Sequence, residues 1–165
     1  MKKTYLADPV KAGVAGLFSL FLLVLLPEFV RQQNIAGMIV FGALFLIFGG
    51  IAVYSARLVT VSKEGLCVSY FGLLKKQLSW DQIREVGVMG LKVFKSKKSK
   101  ATGLLYIYFS EENLTDQERF NIALKWPVRH IPYMLYTIKR LENLQFLWKK
   151  PLTFYNADKV RFFFK

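Results

Sequence analysis

The sequence is poor in the residues that build most catalytic and metal centres. It contains one cysteine, Cys67, and one histidine, His130, among 165 residues. A single cysteine excludes an intramolecular disulfide and a cysteine-based zinc cluster, and a single histidine excludes a histidine pair within the chain. The glycine-rich phosphate loop and the motifs Cys-x-x-Cys, Gly-x-Ser-x-Gly and His-Glu-x-x-His are also absent. We therefore expect no enzymatic activity, no metal site and no cofactor.

The remaining candidate groups have simple structural interpretations. His130 lies two residues before Pro132 and is expected at the surface or at a cap. Cys67 lies in an alternating apolar run, where it is expected as a small buried side chain. The carboxylates of residues 111–118 lack the central glycine and the terminal glutamate of a calcium loop. They predict a solvated acidic loop.

Acidic residues are scarce, with 11 Asp and Glu against 24 Lys and Arg and a net charge of +13. Residues 57–165 hold 20 of the basic and 9 of the acidic residues, a net charge of +11. This imbalance predicts attraction to anionic surfaces, either acidic lipid headgroups or nucleic acid. Lipid is the nearer partner, because the segments described next tether this region to a bilayer. The alternative is that the charge only satisfies the positive-inside rule and keeps the domain soluble.

Long apolar runs dominate the first third of the chain and raise the hydrophobic fraction to 53%. The first run is free of charge from residue 12 to residue 27 and predicts a span of about residues 12–30. The second predicts a span of about residues 35–55. Each is close to the ~20 residues that cross a bilayer, and helices satisfy the backbone hydrogen bonds in lipid.

The short polar link at residues 31–34 predicts that the two spans form an antiparallel hairpin. The link carries one basic residue, Arg31, which Glu28 offsets. The positive-inside rule then predicts a multi-pass plasma-membrane protein with both termini in the cytoplasm. A cleaved signal peptide is the alternative, although no small-x-small site follows Leu26 and the second span would remain. The basic residues flanking the spans are Lys2, Lys3, Lys11, Arg57 and Lys63.

Both predicted spans contain several small residues. They permit close approach of helices, either within the hairpin or between protomers. The residues predicted to pack helices are Gly13, Gly16, Gly42, Gly49 and Gly50.

From Leu58 onward the apolar pattern changes from continuous to alternating. Short β-rich runs separated by glycine turns predict an antiparallel meander. The runs cover residues 58–61, 66–71, 75–80, 104–109 and 119–126, and a short polar turn at residues 81–86 runs into another strand through Val88. Pro132 suits a first helical turn, and an apolar stripe after it predicts an amphipathic helix of about four turns. The stripe consists of Met134, Ile138, Leu141, Leu144 and Trp148.

This order of six or seven antiparallel strands and a C-terminal amphipathic helix resembles the bacterial pleckstrin-homology-like (PH-like) domains that are fused to one or two membrane helices. The residues that carry the resemblance are 61–66 (Val-Ser-Lys-Glu-Gly-Leu), 77–86 (Gln-Leu-Ser-Trp-Asp-Gln-Ile-Arg-Glu-Val) and 131–133 (Ile-Pro-Tyr). The resemblance covers about residues 57–150. It implies a strand barrel plugged by the helix, and a binding or scaffolding module rather than an enzyme. PH-type domains that bind phosphoinositides place basic residues around the first loop, which here is only Lys63-Glu64-Gly65.

The sequence therefore predicts three parts: a transmembrane hairpin at 1–56, a cytoplasmic PH-like domain at 57–150 and an aromatic-basic tail at 151–165. The tail is predicted as a small hairpin on the domain, as a segment at the membrane interface or as a contact for a partner.

Four lysines, Lys95, Lys97, Lys98 and Lys100, are the candidate lipid-binding residues. Near an acidic bilayer each ammonium group would contribute on the order of 1 kcal/mol. The alternative is a flexible loop that carries solubilising charge. The predicted function is a membrane-anchored, non-catalytic module that contacts a protein partner or the anionic inner leaflet. An auxiliary subunit, assembled with a partner protein or as a homo-oligomer through the glycine-rich hairpin, is the alternative.

Overall fold

The computed structural model describes residues 2–70, 73–94, 101–119 and 131–162, and it shows a helical hairpin joined to two packed β-sheets. The helices are α1 (Pro9–Arg31), α2 (Ile35–Ser55) and α3 (Ile138–Gln145). The strands are β1 (Lys2–Leu6), β2 (Leu58–Ser62), β3 (Gly65–Tyr70), β4 (Leu73–Ser79), β5 (Glu85–Phe94), β6 (Ala101–Ser110), β7 (Tyr133–Leu135), β8 (Thr153–Tyr155) and β9 (Val160–Phe162).

The hairpin formed by α1 and α2 agrees closely with the two predicted spans. Helix α1 begins after Asp8, whose carboxylate accepts a hydrogen bond from the Lys11 backbone N–H at 3.0 Å. Asn34 caps α2 in the same way, by accepting from the Gly37 N–H at 2.9 Å. Both helices are long and apolar enough to cross a membrane, and few of their residues are buried inside the protein.

The first sheet is antiparallel, in the order β1–β2–β3–β4. Its first strand lies before the hairpin in sequence, and all five of its residues pair with β2. The sequence placed residues 2–6 in the hairpin unit, whereas in the structure they are part of a sheet. The β2–β3 turn needs Gly65, because its φ is 147° and a side chain there would collide with the Leu78 carbonyl oxygen.

The second sheet is mixed, in the order β7–β6–β5–β8, with β9 beside β6. Strands β5, β6 and β7 pair in antiparallel fashion, whereas β8 runs parallel to β5 and β9 runs parallel to β6. Strands β8 and β9 come from the predicted tail. They flank the β5–β6 pair on opposite edges, so they do not form a hairpin with each other.

The core lies between the two sheets. Helix α3 closes it with Leu144, and Trp148 follows from the segment after the helix. The largest fully buried apolar side chains of this core are Phe109, Leu66, Ile83, Ile107, Met134, Leu144, Val59, Val86 and Val88.

The helix predicted to open at Pro132 is wrong in its first part. Tyr133–Leu135 form strand β7, and α3 covers only Ile138–Gln145. All three residues of β7 are buried, and their backbone pairs with Tyr106–Tyr108 of β6. Met134 therefore shares the spacing of the helical stripe without being in the helix. The short α3 begins after Thr137, whose hydroxyl oxygen accepts a hydrogen bond from the Arg140 N–H at 3.2 Å.

The β-domain also differs from the predicted barrel of six or seven antiparallel strands. Nine strands are described, and two of the pairings are parallel. The sheets meet where the Leu135 N–H donates to the Ala7 carbonyl oxygen at 2.6 Å. Within the described ranges the sheets are otherwise open, so these residues do not close a barrel. Of the strand predicted at 119–126, Arg119 is helical and the rest lies outside the described residues.

Candidate functional site at the junction of the hairpin and the β-domain

The lysines predicted to bind lipid lie outside the described residues, as does His130. Cys67 lies on β3 and is partly buried. Among the described residues, no group of three or more His, Cys, Asp or Glu side chains is arranged to hold a metal ion.

The predicted packing glycines divide into two groups. Gly16 and Gly49 face the opposite helix: a Cβ at Gly16 would lie 3.9 Å from Ala52 Cβ, and one at Gly49 would lie 3.4 Å from Ser19 Oγ. At the other three positions a Cβ would meet no described atom within 4 Å, so these glycines do not pack the hairpin. They are Gly13, Gly42 and Gly50.

Gly37 is a packing glycine that the sequence analysis did not select. The Phe29 ring occupies the space that a side chain at residue 37 would need. Phe29 also stacks on Phe41, with ring centroids 4.4 Å apart. At the loop end of the hairpin, the Phe29 ring therefore packs between Gly37 and Phe41 of α2.

At its other end the hairpin joins the β-domain through two very short links. Ala7 and Asp8 connect β1 to α1, and Ala56 and Arg57 connect α2 to β2. The β1–β2 ladder continues through these links, because Ala7 N–H donates to the Arg57 carbonyl at 2.9 Å and Asp8 N–H donates to the Ser55 carbonyl at 3.1 Å. The backbone hydrogen bonds between the two chain segments therefore continue from the β1–β2 pair to the ends of α1 and α2, and no flexible linker separates the sheet from the helices.

Asp8 ties the first turn of α1 to the second sheet. Its side chain is fully buried, and Tyr106 of β6 donates a hydrogen bond to its second carboxylate oxygen at 2.9 Å. Burial and the Asp8 carboxylate raise the pKa of Tyr106 far above its usual value, so the phenol stays protonated and remains a donor. The Lys11 ammonium lies 3.6 Å from the same oxygen and 5.3 Å from the Tyr106 ring centroid.

Arg57 occupies the second link, with 4% of its surface exposed. Its guanidinium lies 4.6 Å from the Tyr54 ring centroid and 4.2 Å from the Tyr133 ring centroid. The Nε and Nη2 atoms have no hydrogen-bond partner among the described residues. Aromatic faces stabilise this buried cation, an interaction that reaches about 2 kcal/mol when the pair is desolvated, and the Tyr54 and Tyr70 side chains act on it as hydrogen-bond partners. Burial raises the pKa of Tyr133 to about 12, with Arg57 acting in the opposite direction.

A second polar network lies away from the junction, where β5 meets the segment after β6. Arg119 binds Glu85 through two hydrogen bonds of 3.0 Å, and the Leu114 N–H donates to the same carboxylate at 2.8 Å. The Tyr108 hydroxyl donates to it as well. Burial alone would raise the pKa of the Glu85 carboxyl, but these donors hold it below its usual value. The network fastens the acidic segment to the sheet.

Both networks hold separate elements in fixed positions. Asp8 joins the first turn of α1 to β6, and Glu85 joins β5 to β6 and to the segment after it. Sequence reasoning missed the junction, although Asp8 followed by Pro9 is the standard start signal of a helix. The contact of Arg57 with Tyr133 had no local signal, because Tyr133 comes from a distant segment.

No protein-family model, curated protein or solved structure matches this chain.

Proposed function

We propose that this protein is a membrane-anchored, non-catalytic PH-like binding module, fixed to the cytoplasmic surface of the plasma membrane by its hairpin. One observation carries the proposal: links of only two residues join β1 to α1 and α2 to β2. The backbone hydrogen bonds between β1 and β2 continue through these links to the helix ends. A domain attached in this way keeps a fixed orientation relative to the hairpin, so the same surface always faces the bilayer and the same surface is available to a partner.

The PH-like assignment is supported by the order of the parts. Strands β2 to β7 precede α3, which packs Leu144 into the core between the sheets, as the resemblance implies. Strand β1 before the hairpin and strands β8 and β9 after α3 are additions to that order.

Membrane insertion is supported by the surface of the hairpin. Apolar side chains on both helices face outward, and examples are Leu17 at 71%, Val24 at 75% and Leu46 at 70% exposure. In water this surface would be strongly unfavourable, whereas lipid accommodates it. Lys2 and Lys3 on β1 and Lys11 in the first turn of α1 flank the first span on its N-terminal side, which favours a cytoplasmic position for the domain.

Thiol labelling in intact cells tests anchoring and orientation together. In a Cys67→Ser background, a cysteine replaces Gln32 in the helix–helix loop or Lys63 in the β2–β3 turn. We expect a membrane-impermeant maleimide to label the Gln32→Cys protein in intact cells, and the Lys63→Cys protein only after lysis. The reverse pattern would contradict the orientation, and release of the protein by alkaline carbonate would contradict anchoring.

Contact with the anionic leaflet is tested on the full chain in nanodiscs, because residues 57–165 alone lack strand β1. We expect trypsin to cleave at the lysine cluster of residues 95–100 more slowly in nanodiscs containing phosphatidylglycerol than in neutral ones. High salt should remove the difference. Equal rates in both would assign the binding function to a protein partner instead.

A second candidate function, an auxiliary subunit assembled through the hairpin, is favoured by Gly13, Gly42 and Gly50. Because a side chain at these positions would meet no described atom within 4 Å, they leave backbone open to another helix. Under this alternative, Gly42→Leu removes a complex that the wild type forms on native gels of gently solubilised membranes. Ile47→Leu, a conservative change on an exposed position of the same helix, should preserve the complex.

A further inference from the structure

The end of the first sheet nearest the hairpin lies at the level where the helices end. From Ser55, the last residue of α2, the chain reaches Leu58 in three residues, at most about 11 Å. Tyr54, in the last turn of α2, contacts Tyr70 at the end of β3, with ring centroids 6.0 Å apart. The β3–β4 end of the sheet is therefore held beside the helix.

The outer face of this sheet becomes apolar toward the helices. Thr4 and Thr60 oppose each other in the middle of β1 and β2, with their hydroxyl oxygens 2.9 Å apart. Two residues closer to the hairpin, on the same face, Leu6 opposes Leu58. On this face, threonines in the middle of β1 and β2 are therefore followed by leucines at the end nearest the hairpin.

Leu73 adds exposed apolar surface at the same end of the sheet, but on the opposite face from Leu6 and Leu58, because it pairs with Tyr70, one position beyond the Leu58–Ser69 pair. It is the first residue of β4 and has 76% of its surface exposed. Leu6 has 40% exposed and Leu58 is partly buried. We call Leu6, Leu58 and Leu73 the leucine rim. A fully exposed leucine beside a helix end is unfavourable in water, and it is favourable in the interfacial layer that flanks the ~30 Å hydrocarbon core.

We propose that the leucine rim is seated in the headgroup layer of the same bilayer that holds the hairpin, so that the domain contacts lipid through this edge of the first sheet. The proposal rests on the proposed membrane anchoring and adds to it the surface that faces the lipid. Lipid is the occupant because Leu6 and Leu58 each lie three residues from a helix end, and the apolar side chains of these helices are exposed from Val14 in α1 and up to Val53 in α2. This contact is independent of the lysine cluster at residues 95–100, because the rim is apolar and needs no anionic headgroup.

Site-directed spin labelling of the full chain in liposomes tests the rim. In the Cys67→Ser background, a nitroxide is attached at Leu73→Cys or, as a second rim position, at Leu6→Cys. The matched control is Lys63→Cys, at the opposite end of β2 and about 16 Å farther along the strand from Leu58. Collision rates with oxygen, which is concentrated in lipid, are compared with those of a water-soluble nickel chelate.

We expect the oxygen-to-nickel collision ratio at residues 73 and 6 to be several-fold higher than at residue 63. The ratios at residues 73 and 6 could instead equal the ratio at residue 63 in protein that resists carbonate extraction. This result would overturn the proposal that the rim contacts lipid and leave the membrane anchoring intact. Release by carbonate would overturn both. Immobilised labels that neither reagent reaches would indicate coverage by another protein surface, and this result also would overturn the proposal.

Discussion

At the residue scale, Gly87 and Tyr108 show how one position can depend on another across a sheet. The two residues oppose each other on β5 and β6, and the Tyr108 ring and hydroxyl fill the space that a Cβ at residue 87 would need. Tyr108 in turn donates to the buried Glu85 carboxylate. Glycine at residue 87 is thus a condition for the polar network of Glu85.

We predict that Gly87→Ala destabilises the protein by about 1–3 kcal/mol, the usual cost of overpacking a filled site. Thermal unfolding in detergent micelles measures the effect. In a Tyr108→Ala background the same change should cost much less, because the steric conflict is gone. Additive effects of the two substitutions would contradict the mechanism.

The Glu85 network also predicts a dependence of stability on pH. The donors around Glu85 hold its folded-state pKa below the value in the unfolded chain, so its stabilisation is complete above the unfolded pKa. The contribution is lost as pH falls below about 5 and through the folded pKa. We predict that Glu85→Gln lowers the melting temperature at pH 7 and flattens its decline between pH 6 and pH 3. Glu112→Gln, an exposed carboxylate on the following segment, should leave the decline unchanged.

At the element scale, β1 is an edge strand whose backbone donors alternate in direction. Ala7 N–H points to the Arg57 carbonyl, so by the antiparallel pattern Tyr5 N–H points to Val59 and Thr4 N–H points away from β2. Helix α3 holds the strand from the side: Asn143 accepts from the Lys3 ammonium at 2.6 Å and donates to the Tyr5 hydroxyl at 3.0 Å. The strand is therefore fastened by its backbone and by its side chains.

We predict that Tyr5→Pro detaches β1 and lowers the melting temperature of the domain more than Tyr5→Ala does. Proline at residue 4 removes only an outward-pointing N–H, so Thr4→Pro should be tolerated far better. Limited proteolysis near the N-terminus gives an independent readout of strand detachment. Equal sensitivity of the two proline variants would contradict the assigned direction of the hydrogen bonds.

At the scale of the whole molecule, features that depend on neighbouring residues were predictable and those that join distant segments were not. Helices α1 and α2 follow from about twenty consecutive apolar residues each, and β2 to β6 follow from local alternation. The pairing of β1 with β2 joins residues 6 and 58, and no local pattern in Lys2–Leu6 indicates it. Tyr133–Leu135 were mistaken for helix because only contacts with β6 reveal that all three are buried.

The short links between the hairpin and the β-domain predict what happens when one of them is lengthened. Four Gly and Ser residues inserted after Ala56 should interrupt the ladder that reaches the helix ends and lower the melting temperature. The anisotropy of a dye at Lys63→Cys, in a Cys67→Ser chain in nanodiscs, should fall as the domain gains rotational freedom. The same insertion after Gln33, in the helix–helix loop, should change neither quantity. Unchanged anisotropy after both insertions would contradict the fixed orientation of the domain.

The position of β1 before the hairpin also determines the order of events during synthesis. Leu6 leaves the ribosome 52 residues ahead of its partner Leu58, a delay of about 3–10 s at 5–20 residues per second. Under the proposed anchoring, both apolar helices enter the bilayer while β1 still has no partner strand. The first sheet then closes once α2 has placed β2 on the same side of the membrane as β1. Insertion of α2 in the proposed orientation is thereby a condition for completing the β-domain.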